Sequence, residues 1–256
     1  MIRRLTTVLC TAVLASFSIS ATAAETNVVE AFGCNFNDGK TMADLDAVVK
    51  YYTAERSKIA SPALQKMVSR VWTPTLGNVP VDVVWFNSNL TYTEWGEVRE
   101  ALVASSAGTA IQARFDAVMT CPSSGLYSNE ALFNNLDTKP FKDDGRVVIE
   151  SFRCRLHPGK SMADSDAGIV AWKPVFTKAV ASTGAASFVA RRLPIISGFD
   201  FDLGYLVVWD DAVAYSTANE AFRADPAGAK SDALFAAAHR CESGLFDSRT
   251  VVAPPQ

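Results

Sequence analysis

The chain contains one stretch twice, and this limits its possible folds more than any other feature. Cys34-Asn-Phe-Asn-Asp-Gly-Lys-Thr-Met-Ala-Asp-Leu-Asp-Ala47 returns as Cys154-Arg-Leu-His-Pro-Gly-Lys-Ser-Met-Ala-Asp-Ser-Asp-Ala167, with eight of fourteen positions identical at an offset of 120. Upstream, Val28, Glu30 and Phe32 match Val148, Glu150 and Phe152; downstream, Pro74 matches Pro194 and Cys121 matches Cys241. Val83-Val84-Trp85 is read against Val207-Val208-Trp209. A repeat of this length means two copies of one supersecondary unit.

Hydrophobic pattern gives the content of the unit. Asn27 to Phe36 alternates and is rich in Val and Phe, so it reads as a strand. Gly39-Lys40 turns the chain, and Thr41-Met-Ala-Asp44, repeated as Ser161-Met-Ala-Asp164, is close to a capping box. Met42, Leu45, Val48, Val49 and Tyr52 then fall at helical spacing. Strands follow over 68–76 and 81–86, then helical pieces over 94–104 and 109–119, then a strand over 125–133. The second copy repeats the order, with strands over 147–156, 187–194, 201–209 and 245–252. Its helices are read over 162–179, 217–222 and 229–240. Each unit is β-α-β-β-α-β, a ferredoxin-like arrangement in an α+β chain.

Compartment comes from the N-terminus and the cysteines. Arg3 and Arg4, the apolar run Leu5 to Ile19 and the small residues Ala21-Thr22-Ala23 read as an export signal. The predicted organisation is a signal peptide over 1–23, a first unit over 24–135, a linker over 136–145 and a second unit over 146–256. The mature chain is expected to be periplasmic or secreted, without a membrane span. Loss of Arg3 and Arg4 takes the formal charge from −3 to −5. A mildly acidic chain without a Lys/Arg run offers no footprint for nucleic acid. Four cysteines remain, and Cys34 to Cys121 and Cys154 to Cys241 have the same spacing. Two equivalent disulfides are the simplest pairing, and they suit a fold whose last strand lies beside its first. A shared metal site is the competing reading, disfavoured by the lack of any C-x-x-C.

The layout of two such units resembles the dimeric α+β barrel superfamily, which includes antibiotic-biosynthesis-monooxygenase-like proteins. The resemblance rests on Val207-Val208-Trp209-Asp210, the short helix through Ala218-Asn-Glu-Ala-Phe222, Asp225-Pro226, and Leu234-Phe235. It implies two sheets packed against each other as a barrel within one chain. Superfamily members are described as cofactor-independent oxygenases, haem-degrading enzymes, isomerases and proteins of no known activity. No member's catalytic set can be carried onto these residues.

Candidate chemistry is sparse. Gly39-Lys40-Thr41 fails as a phosphate loop, because Gly33 is misplaced and the second copy has Arg153 there. Asp46 and Asp166, each early in a helix, suit the helix dipole. Glu30 and Glu150 share a strand face with Phe and Cys, so each needs a structural partner or marks a site. Trp85 and Trp209 are read as ending equivalent strands, either as packing or as stacking platforms. The chain has two histidines: His157 in a turn, and His239 where the first copy has Met119. Neither has a second histidine nearby in sequence, so a metal site built from the two is not expected, and no cofactor is expected. The reading is a small apolar or aromatic ligand held between the two sheets, bounded by Glu30, Trp85, Glu150 and Trp209, with His157 nearby. A cofactor-independent oxygenase and a non-catalytic structural or interaction protein are the alternatives.

Overall fold

A computed structural model describes residues 27–142 and 145–254. The signal-peptide reading lies outside the described residues. Chain order is β1 (Asn27–Phe36), α1 (Met42–Arg56), α2 (Pro62–Lys66), β2 (Val68–Leu76), β3 (Val83–Thr91), α3 (Tyr92–Ala104), α4 (Ser106–Val118) and β4 (Met119–Asn134). It continues with β5 (Arg146–Leu156), α5 (Met162–Thr183), β6 (Ser187–Ser197), β7 (Leu203–Trp209), α6 (Ala212–Ala224), α7 (Pro226–Ala238) and β8 (His239–Val252). Among the described residues, no helix is long and apolar enough to cross a membrane.

The helix starts follow the local chemistry read from the repeat. Asp44 Oδ2 accepts from the Thr41 backbone N–H at 3.0 Å, and Asp164 Oδ2 accepts from that of Ser161 at 2.9 Å. The Ser161 backbone bond, with Lys160 and the Ser161 hydroxyl adding to it, holds the Asp164 carboxyl down to about 2. Elsewhere the halves differ from expectation. Ser61 caps an unforeseen short helix, α2, while in the other half α5 runs through Pro174 to Thr183. β4 and β8 begin before their cysteines. The Cys-Pro-Ser-Ser and Cys-Glu-Ser-Gly segments lack β-branched residues, and pairing with β1 and β5 overrides that poor propensity.

Strand register corrects one sequence alignment. Val83 lies opposite Cys34 and Leu203 opposite Cys154, so the two strands correspond at the same offset of 120. The counterpart of Trp85 is therefore Tyr205, opposite Phe152 as Trp85 is opposite Phe32. Trp209 sits four pairs further along, opposite Val148. The shared Val-Val-Trp reflects strand composition, not equivalent position.

The eight strands close into one antiparallel barrel in the order β1-β3-β2-β8-β5-β7-β6-β4. The sheets do more than face each other: their edges are hydrogen-bonded, β2 to β8 and β4 to β6. Closure removes the edges that would otherwise template aggregation. The duplicated aspartates stand near these seams. Asp46 of α1 pairs with Arg249 of β8, and Asp166 of α5 pairs with Arg191 of β6. Arg191 also reaches Glu130 of β4, at 2.6 Å. The helix-dipole reading of Asp46 and Asp166 thus leaves out their arginine partners.

Three apolar clusters result. One fills the barrel interior, built around Trp72, Phe86, Tyr127, Ile149, Leu206 and Phe246. The others lie outside the barrel, between each half's strands and its helices. Cys34–Cys121 and Cys154–Cys241 are both disulfides, each closing 87 residues. The chain-entropy model values such a loop at roughly 4–5 kcal/mol.

The tight junction between paired helices depends on glycine. A Cβ on Gly228 would stand 2.4 Å from the Phe222 carbonyl oxygen, whereas one on Gly96, within α3, meets nothing within 4 Å. We therefore expect Gly228→Ala to destabilise by about 1–3 kcal/mol through overpacking. Gly96→Ala should stabilise by about 0.5–1 kcal/mol through helix propensity. Urea unfolding of both variants checks this, and equal midpoints would contradict the packing described.

Candidate functional site

The space expected between the sheets is occupied. Trp72 stacks on Phe86 at 4.5 Å inside the barrel, and Tyr127 stacks on Phe201 at 5.7 Å. Arg192 is buried with them, donating to Ser151 Oγ at 2.6 Å, with its guanidinium 5.7 Å from the Trp72 ring. Burial brings the Arg192 pKa down to about 10. A ligand site bounded by Glu30, Trp85, Glu150 and Trp209 between the sheets is thus corrected on two counts. All four residues lie on the outer, helix-covered face, and they fall into two separate groups.

In the N-terminal half that face is filled. Tyr52, Trp85 and Phe115 form a ring cluster, with Trp85 and Phe115 4.9 Å apart and Tyr52 6.1 Å from each. Glu30 is fully engaged beside it. Its carboxylate accepts from Asn87 Nδ2 at 3.0 Å and from Trp95 Nε1 at 3.1 Å, with Arg99 3.9 Å away. Here the structural reading of the glutamate holds.

In the C-terminal half the corresponding space is a cavity of about 610 Å³, between the strands and helices α5, α6 and α7. Glu150, His157, Trp209 and His239 all line it. The walls are largely aromatic, including Phe152, Trp172, Tyr205 and Phe235. Position by position, Trp172, Tyr205 and Phe235 replace Tyr52, Trp85 and Phe115. Tyr205 and Phe235 keep their contact, at 5.7 Å, but Trp172 stacks on Phe176 at 4.3 Å. Phe176 stands where the other half has Arg56, which is bonded to the Leu64 and Gln65 carbonyls. Exchanging that arginine for a ring gives Trp172 a partner at the wall, and the middle is left open.

The cavity holds polar groups that apolar walls do not satisfy. Val207 replaces Asn87, so Glu150 lacks the amide that holds Glu30. Burial raises the Glu150 carboxyl to about 7, against the lowering influence of Arg223 and a hydrogen bond with Tyr215. Its charge is therefore poised to change near neutral pH, as an acid–base residue requires. His239 is only 4% exposed, and its Nε2 has no hydrogen-bond partner. Its Nδ1 lies 3.2 Å from Cys241 Sγ. Burial lowers its pKa; its own carbonyl opposes this, and nearby His157 adds to it. Trp209, 1% exposed, likewise leaves Nε1 unpaired. His157 lies in the turn after β5, with Nε2 3.0 Å from the Ala236 carbonyl oxygen.

Sequence reasoning placed Glu150, Trp209 and His157 in the site, but missed Tyr205, Tyr215 and Arg223. The signal for the first two was available. Carried unchanged through β3 and α3, the offset of 120 maps Trp85 to Tyr205 and Trp95 to Tyr215.

Glu150 yields a signed expectation. In the fold its carboxyl holds a proton up to about pH 7, while in the unfolded chain it ionises near 4.5. Between these values the folded state carries the extra proton, so stability falls as pH rises. The contribution is on the order of 3 kcal/mol between pH 4.5 and above pH 7. Urea midpoints at pH 5 and pH 8 should therefore diverge more for the wild type than for Glu150→Gln. Equal pH dependence in both would contradict the buried environment.

No protein-family model and no curated protein matches this sequence. Solved structures do match in fold. A candidate monooxygenase from Fusobacterium nucleatum superposes with a TM-score of 0.56 at 9% identity, covering 88% of this chain and 93% of its own. An anthrone oxidase-like protein gives 0.54 at 14%, covering 91% and 98%. A mutant chlorite dismutase from Candidatus Nitrospira defluvii gives 0.51 at 10%, covering 89% and 94%. Identities this low carry the fold alone. The chain has the fold of the dimeric α+β barrel superfamily.

Proposed function

We propose that this protein binds a small, largely apolar aromatic molecule in the cavity of its C-terminal half. The observation that carries the reading is the contrast between halves. One register position after another is shared, yet one half packs rings where the other leaves about 610 Å³ beside Glu150 and His239. That volume lies within the range of small-molecule sites, which combine apolar walls with a few polar groups. Burying about 200 Å² of ligand surface is worth roughly 5 kcal/mol before association costs. Apolar contact alone therefore gives affinity in the millimolar range or weaker, and tighter binding has to come from Glu150, His239 and Trp209.

The filled half acts as scaffold in this reading. The constant offset of 120 supports an origin by tandem duplication, with units over 24–135 and 146–256 and a linker between them. The two disulfides support an exported protein, periplasmic or secreted, after loss of residues 1–23. An open cavity with unpaired polar atoms also favours ligand binding over a purely structural role.

A second reading is favoured by one observation, the Glu150 carboxyl raised to about 7. Such a group can take a proton from a bound aromatic substrate at neutral pH, the opening step of an oxygenation that uses no cofactor. The names of the structural neighbours, monooxygenase and anthrone oxidase-like, agree with it.

Titration with the neutral fluorescent probe N-phenylnaphthylamine tests the first reading. The wild type should bind it at a single site, and Val207→Phe, which puts a ring into the cavity, should weaken binding at least tenfold with Tm unchanged. Equal binding by the variant would contradict the site. For the second reading, oxygen uptake with a phenolic substrate should vanish in Glu150→Gln while the probe still binds.

A further inference from the structure

One of the chain's two histidines, His239, packs against a disulfide. His239 Nδ1 is 3.2 Å from Cys241 Sγ, and Cys154 Sγ, Cys241 Sγ and a His239 ring nitrogen all lie within 4.8 Å of one another. His157 lines the same cavity, near enough to His239 to affect its charge. The N-terminal disulfide has no such company, since Met119 and Asn37 stand at the positions of His239 and His157. From sequence a metal is not expected, because the two histidines are isolated along the chain and the cysteines are widely spaced without a C-x-x-C. The fold places His239 beside a pair of sulfurs.

We propose that this corner is a latent metal site, in which Cys154, Cys241 and His239 hold a thiophilic divalent cation of the Zn²⁺ class once the disulfide is opened. Two thiolates and one imidazole form a recognised zinc ligand set, with a fourth position left for water or substrate. Two of the three ligands, His239 and Cys241, line the cavity. Cys154 is fully buried, whereas Cys241 is half-buried and lines the cavity, so a small dithiol reaches Cys241 Sγ first. Its thiolate attacks that sulfur, the S–S bond breaks, and a mixed disulfide forms. The second thiol of the reductant then displaces Cys241 and leaves as an internal disulfide. The protein gains two electrons and two protons as two thiols. The cation displaces both protons into solvent as its two sulfur bonds form. Nδ1 supplies the third bond, and the ring proton resides on Nε2, which has no partner to lose.

The test reads ligands directly. The full chain is reduced anaerobically with a phosphine, mixed with one equivalent of Co²⁺, and followed by thiolate-to-cobalt absorption. Pulse alkylation and peptide mapping then identify the protected cysteines. We expect Cys154 and Cys241 to be protected at least tenfold over Cys34 and Cys121. His239→Met should weaken Co²⁺ binding at least tenfold, and the oxidised protein should show no absorption. Equal protection of all four cysteines, as an unfolded reduced chain would give, overturns the proposal. So does unchanged binding by His239→Met, or no cobalt band at all. The result is independent of whether the cavity takes an aromatic ligand.

Discussion

Hydrogen bonding across the two seams, β2 to β8 and β4 to β6, is the constraint on which the rest depends. Once the edges are joined, the inward faces of all eight strands point into one closed space, and side chains fill it at this barrel size. Arg192 shows the filling: its guanidinium lies near the Trp72 and Tyr127 rings and is tied to Ser151. Open space is thereby displaced to the outer face, where helices cover the strands. Ion pairs such as Arg249 with Asp46 cross between the halves near a seam, but the partly exposed charges contribute only about 0–1 kcal/mol each. The continuous backbone ladders do most of the joining.

The outer faces then show what a small number of exchanges accomplishes on one backbone plan. Leu45, Val48 and Ile111 in one half correspond to Ser165, Gly168 and Ser231 in the other. A Cβ on Gly168 would be 2.9 Å from the Phe235 ring, so the missing side chain seats that ring against α5. Ser165 Oγ meets the Tyr205 hydroxyl at 2.5 Å and draws it the same way. With Tyr205 and Phe235 held against α5, and Trp172 turned onto Phe176, the centre is vacated while every wall stays packed. Glu150 remains in that space after its amide partner is gone, which is why its carboxyl is shifted and its environment invites a ligand.

Much of the fold was legible because the repeat and the alternating strands are local signals. The capping residues, the element order and both disulfides follow from residues close in sequence or from equal spacing. The location of the site was not, because it depends on barrel closure. Glu30 and Glu150 look alike in sequence, and only the exchange of Asn87 for Val207, across a strand pair, separates a satisfied carboxylate from a poised one. Trp85 and Trp209 look alike too, but register places them four pairs apart. The meeting of His239 with Cys154–Cys241 needs β8 laid beside β5.

The central claim is that one half is open where its counterpart is packed, and that the barrel between them is full. Diffraction from crystals pressurised with xenon tests it most directly, since xenon enters apolar cavities that are empty and accessible. The account predicts anomalous density among Phe152, Trp172, Tyr205 and Phe235, and none between Trp85 and Phe115 or beside Arg192. Xenon inside the barrel, or in both halves alike, would contradict it.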